Sequence, residues 1–113
     1  MTDVAWKAWE RTISKWFGGQ RRGADFRGFA GGKNDVIKEG WSIEAKLLSR
    51  PSFSEILAAC KQAEAAKENP TDIAVAVIRR KGDSLGDAIF AFRTSEFLSN
   101  FVSVVQDKED ERI

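Results

Sequence analysis

Apolar residues recur every three or four positions from residue 3 to about 17, at Trp6, Trp9, Ile13, Trp16 and Phe17. That spacing predicts an amphipathic helix behind a Thr2 or Asp3 cap. Glu10 falls inside the apolar sector, where a carboxylate is unfavourable unless a positive or hydrogen-bonding group meets it. Gly18 and Gly19 end the helix. Residues 18–34 then hold six of the nine glycines, with Arg21, Arg22, Arg27 and Lys33 among them, and read as a mobile cationic loop. Asp35-Val36-Ile37 starts an apolar run, Lys38-Glu39-Gly40 supplies turn residues, and Trp41 to Leu48 alternates, so a β-hairpin is predicted.

Pro51 and Ser52 open a second helix reaching Glu68, because Ser52 and Glu55 stand at capping-box spacing and Asn69-Pro70 stops it. One side carries Phe53, Ile56, Leu57 and Cys60. The other presents Ala58, Ala59, Ala65 and Ala66 around Gln62, small residues that let the helix lie close to a sheet and bring Gln62 near it. Ile73 to Ile78 is continuously apolar, as in a central strand covered on both faces. Arg79 to Asp83 forms its exit loop, Asp87 to Arg93 a further strand, and Thr94 or Ser95 caps a last helix carrying Phe97, Leu98, Phe101, Val102 and Val105. The expected fold is α/β, a central mixed sheet flanked by helices in the order α-β-β-α-β-β-α. It forms a single domain over residues 1–106 with a charged, frayed tail at 107–113.

Composition narrows the chemistry. Cys60 is the only cysteine and there is no histidine. An intramolecular disulfide, zinc bound by Cys and His, and Ser-His-Asp or Cys-His catalysis are therefore all excluded. Carboxylates, lysine and oxygen-loving metals remain. No apolar stretch approaches the roughly 20 residues that cross a bilayer, and the N-terminus lacks the layout of a secretory signal, so no membrane partner and an intracellular, cytoplasmic location are expected. The formal charge of +1 is unevenly spread: residues 1–50 hold ten Lys/Arg against six Asp/Glu, and residues 51–113 eight against eleven. Between Arg11 and Lys33 six basic residues face only Asp25. This is either a surface that holds phosphates or an ordinary solvated cluster.

In a strand, residues two apart share a face, so Glu44 and Lys46 project together while Ile43, Ala45 and Leu47 project oppositely. The hairpin brings Asp35 beside them. Two converging carboxylates repel unless a cation sits between them, which makes a divalent metal the economical explanation. Asp25 is the other acid of this region, but it lies in the glycine-rich loop, whereas Asp35 begins a strand able to pair with that of Glu44. Glu-Ala-Lys alone reads more readily as an exposed ion pair; the surrounding order of features reverses that balance.

Helical Glu10, the Phe17-Gly18-Gly19-Gln20-Arg21-Arg22-Gly23 loop, Gly31-Gly32-Lys33-Asn34-Asp35-Val36, Ile43-Glu44-Ala45-Lys46 and Gln62 on the next helix follow one another in order. In this the chain resembles the PD-(D/E)xK nuclease superfamily, most closely its small Holliday-junction-resolvase-like members of phages and archaea, across residues 6–93. Asn34 stands where the family has its proline, which does no chemistry. The resemblance implies a restriction-endonuclease-like core in which Asp35, Glu44 and the Ala45 backbone carbonyl coordinate magnesium or manganese. It implies that Lys46 positions the attacking water, that Glu10 binds or steers a second metal, and that Gln62 orients Lys46 or the water. Arg21, Arg22 and Lys33, with Arg50 a weaker candidate, are then expected to contact DNA phosphates.

The expected activity is metal-dependent hydrolysis of DNA phosphodiesters, most closely the resolution of four-way junctions by a homodimer in DNA recombination or repair. A phage-encoded protein would act inside the bacterial host cell. The alternatives are a nuclease for flaps or plain duplex, and a non-catalytic DNA-binding module that keeps only the fold. Trp6, Trp9 and Trp16 are expected in the core or a dimer interface rather than stacked on bases. Phe97, Leu98, Phe101 and Val102 are expected to pack or to serve self-association, and Cys60 to be a buried small residue.

Overall fold

A computed structural model describes residues 4–21 and 36–102. The predicted Asp35, Arg22 and Lys33, the glycine-rich segment from residue 22 onward and the tail at 107–113 lie outside the described residues. Helix α1 spans Val4–Phe17, strands β1, β2 and β3 span Gln20–Arg21, Val36–Lys38 and Trp41–Leu48, and helix α2 spans Phe53–Ala65. Strand β4 (Ile73–Arg80), strand β5 (Ile89–Ala91) and helix α3 (Thr94–Phe101) follow. The strands form one mixed sheet in the order β1-β2-β3-β4-β5, antiparallel except between β3 and β4.

The α/β class and mixed sheet agree with the pattern of the sequence, but several boundaries differ. Gln20–Arg21, expected in a loop, forms a short strand opposite Val36 and Ile37. The chain runs so close here that a Cβ on Gly19 would collide with the Ile37 carbonyl oxygen. Helix α2 stops at Ala65, not Glu68, because buried Asp72 turns back and accepts the backbone N–H groups of Glu68 at 3.3 Å and Asn69 at 3.1 Å. The expected strand Asp87–Arg93 shrinks to three residues, since Asp87 and Ala88 N–H groups bond back to Ser84 and Leu85 in a single 3-10 turn. Neither Thr94 nor Ser95 caps α3: Arg93 holds the cap position without a side-chain cap bond, its guanidinium being drawn to Glu64 at 2.7 Å.

The hairpin follows its residues. Lys38 pairs with Trp41 across Glu39-Gly40, and Gly40 has φ +86°, the left-handed conformation that the third position of a type II turn requires. Beyond β3, Ser52 and Glu55 form the capping box: Ser52 Oγ accepts the Glu55 N–H at 3.2 Å and the Glu55 carboxylate accepts the Ser52 N–H at 3.0 Å. Replacing Ser52 by Ala should lower the unfolding free energy by about 1 kcal/mol, read as a shifted urea midpoint with an unchanged slope.

The parallel β3–β4 pair needs a crossover, and α2 supplies it. Alternation along the two strands then makes two cores. Ile43, Val75 and Val77 pack with Trp9, Ile13 and Val36, joined by Phe17, Trp41, Ala45 and Leu47, beneath α1. Ala76 and Ile78 pack with Ala59 and Cys60, joined by Leu48 and Ile56, beneath α2. Ser42, on the α2 face, donates its hydroxyl to the Ala63 carbonyl. Central strand β4 is buried from Ala74 to Ile78, as its unbroken apolar run predicts.

The helix faces were harder to place. The buried stripe of α2 holds Ala59, Cys60 and Ala63, whereas Ala58, Gln62 and Ala65 are exposed and Phe53 is 78% exposed. On α1, Trp9 and Ile13 are buried, but Trp6 and Trp16 remain nearly half exposed. Trp16 and Phe17 stack on Phe90 of β5. Helix α3 buries its carboxylate Glu96, while Phe97, Leu98 and Phe101 stay partly exposed, the two phenylalanines packing against Phe92.

Candidate active site

Glu44 and Lys46 lie on the face of β3 that looks toward α2, with Ser42 and Leu48, because strand positions two apart share a face. Glu44 is buried at 8% exposure, and its Oε2 lies 3.2 Å from Lys46 Nζ. The Lys46 side chain keeps 31% of its surface exposed against 11% for Glu44. The pair thus combines an inner carboxylate with an outer ammonium. Lys46 also lines an open cleft of about 210 Å³ with Leu48, Glu55, Ala58 and Gln62.

Gln62, predicted from sequence as a partner of Lys46, is exposed on α2 and lines the same cleft. Glu55 was read in the sequence only as a cap, yet its side chain lines the cleft too. A signal was present: Glu55, Ala58 and Gln62 are three and four residues apart, one stripe of a helix. Ala45 sits between Glu44 and Lys46 with its side chain turned to the α1 core.

Glu10 is buried at 5% exposure on α1, which covers the sheet face opposite to that carrying the Glu44 and Lys46 side chains. Its turn nevertheless meets the same strand, because neighbouring Trp9 donates its indole N–H to the Lys46 carbonyl oxygen at 2.9 Å. Arg50 is exposed in the bend after β3, and Arg21 belongs to β1.

Asp35, the second predicted metal ligand, immediately precedes Val36, which pairs with Ile43, the residue before Glu44. Among the described residues no three Asp, Glu, Cys or His side chains cluster as a metal site. The side-chain donor on this face of β3, the Glu44 carboxylate, is a hard oxygen ligand of the kind that suits magnesium or manganese.

The single thiol offers no competing chemistry. Burial pushes the Cys60 thiol up, the Glu64 carboxylate adds to the effect and Arg93 opposes it, so Cys60 stays protonated near neutral pH. No described helix is long and apolar enough to cross a membrane. Compared with known proteins, the chain matches no family model, no curated protein and no solved structure.

Proposed function

We propose that this chain is a magnesium- or manganese-dependent DNA endonuclease of the PD-(D/E)xK type with a restriction-endonuclease-like core. Its preferred substrate is branched DNA, four-way junctions above all. The observation that carries the reading is the Glu44–Lys46 pair, 3.2 Å apart on one face of the second strand of a hairpin, with Gln62 of the crossover helix lining the same cleft as the lysine.

A divalent ion, when bound by Asp35, Glu44 and the Ala45 carbonyl, supplies Lewis-acid stabilisation of charge on the phosphate. Lys46 reaches solvent from beside Glu44, where its ammonium can orient a water or a phosphate oxygen, and Gln62 restricts its position from across the cleft. Arg21, Arg22, Lys33 and Arg50 hold the DNA backbone without reading bases. A symmetric homodimer would set two sites against opposing strands of a junction, and the open apolar surface of α3 at Phe97, Leu98 and Phe101 favours self-association.

The test compares a four-way junction, a flap and a linear duplex of one sequence, each incubated with magnesium or manganese and with the parent protein, Asp35→Asn, Glu44→Gln or Lys46→Ala. Paired symmetric nicks confined to the junction are expected, lost in each variant. Equal cutting of flap or duplex would make it a general nuclease. Binding without any metal-dependent cutting would establish a non-catalytic DNA-binding module. With four phosphate-contacting cations in each protomer, the logarithm of the binding constant should fall against the logarithm of salt with a slope of roughly −3 to −4 for each protomer engaged, about twice that for the dimer.

A further inference from the structure

Three groups far apart in the sequence are joined on the α1 side of β3. The indole of Trp9, 1% exposed, donates its Nε1–H to the Lys46 carbonyl oxygen at 2.9 Å. Over the same indole lies the Arg79 guanidinium, its carbon 5.6 Å from the ring centroid. Arg79 is itself held by two hydrogen bonds to the Asp83 carbonyl oxygen, from Nε at 3.0 Å and Nη2 at 2.7 Å. Trp16 closes the indole edge-on, with centroids 5.5 Å apart. A ring packed on several sides has little freedom, so its one N–H acts as a fixed peg against a main-chain oxygen.

We propose that Trp9 and Arg79 are positioning residues that fix the main chain of Lys46 and thereby aim its ammonium at Glu44 and the cleft. The proposal rests on the nuclease reading of Lys46. Core packing alone does not require it: an apolar ring fills the space under β3 equally well, whereas only an indole carries a donor to the Lys46 carbonyl. The chain then runs from the Asp83 turn through Arg79 and Trp9 to the back of the lysine that faces α2. Groups that orient a site residue without touching substrate typically alter turnover by about tenfold to a hundredfold.

The experiment uses the full chain with Trp9→Phe, which keeps an aromatic ring and removes the N–H, and Arg79→Met, which keeps the stem and removes the guanidinium. Trp16→Phe, which keeps an aromatic edge against the Trp9 indole and leaves its N–H in place, is the control for altered aromatic packing on α1. Expected for Trp9→Phe is a kcat on junction DNA lowered roughly tenfold to a hundredfold, with KM and DNA binding within about twofold of the parent. Arg79→Met shifts kcat in the same direction by less, and Trp16→Phe leaves it unchanged. In parallel, the amide resonance of Leu47, whose nitrogen is bonded to the Lys46 carbonyl, should move in Trp9→Phe and stay in Trp16→Phe. Parental kcat in Trp9→Phe, or an unmoved Leu47 resonance, overturns the proposal, as does a loss of kcat equal in Trp16→Phe. A parent protein that cuts no DNA with either metal sinks the nuclease reading instead, and the Leu47 resonance then decides the relay by itself.

Discussion

Glu44→Gln is expected to reduce metal-dependent cutting of branched DNA by about a thousandfold, while changing stability by less than about 1 kcal/mol. The two readouts separate for a geometric reason. Glutamine preserves the volume and outline of a side chain that is 11% exposed, so the α2 face of the sheet need not repack. What disappears is the negative charge. Lys46, losing the partner 3.2 Å away, is open enough at 31% exposure to turn its ammonium into water, so no buried charge is stranded. If the ion pair only decorated a strand, its removal would leave DNA chemistry untouched. Gel-resolved junction cleavage at saturating protein, beside thermal unfolding of both proteins, checks the prediction. Cutting within threefold of the parent would remove Glu44 from the site.

A comparable effect of opposite character is expected at Glu96, where stability should fall and chemistry should not be the primary casualty. Glu96 is 7% exposed on α3, and its carboxylate gathers three groups. It pairs with Lys67 Nζ at 2.9 Å, accepts the Ala74 backbone N–H at 3.0 Å and the Asn100 amide at 3.0 Å. Glu96→Ala leaves the Ala74 N–H and the Lys67 ammonium without that acceptor, a loss of about 3 kcal/mol. In a domain of this size that lowers Tm by on the order of 15 °C.

The pH dependence carries a definite sign. Burial alone would raise the Glu96 carboxyl, but the hydrogen bonds from Lys67, Ala74 and Asn100 and the lysine charge outweigh it and hold the group below the usual glutamate range. A carboxyl lowered in the folded state stabilises fully above its unfolded value of about 4.3 and loses that contribution as pH falls through the folded value. The Tm gap between parent and Glu96→Gln should therefore be steady from pH 6 to 8 and shrink below about pH 4. A gap that widens on acidification, followed by circular dichroism, would contradict the assignment.

The legible parts of this fold were those governed by local geometry. Alternation over Trp41–Leu48 placed Glu44 and Lys46 on one face before any coordinates, since strand side chains alternate whatever covers them. The Ser52–Glu55 spacing located the start of α2 for the same kind of reason. Helix faces were less legible. Ala58, Ala59, Ala65 and Ala66 all looked suited to close approach, but only Ala59 and Ala66 among them are buried, because alanine carries too little hydrophobic surface to choose its own side. On α3, Phe97 and Phe101 pack against Phe92 as their spacing suggests, but the most buried group is the Glu96 carboxylate, whose partners Lys67 and Ala74 come from the turn after α2 and from β4.

By itself the sequence determined the α/β class, the hairpin turn at Gly40, the buried central strand and the pairing of Glu44 with Lys46 on one face. Each follows from φ preferences or from a period of two or 3.6 residues, which are properties of neighbours along the chain. Only the tertiary structure decided that α1 and α2 take opposite faces, that Trp9 meets the carbonyl of a residue 37 positions away, and that Lys67 finds Glu96 across 29. Those contacts depend on the parallel register of β3 and β4 and on which helix the crossover carries to which face. They are set by the simultaneous packing of the whole sheet, so no local pattern records them.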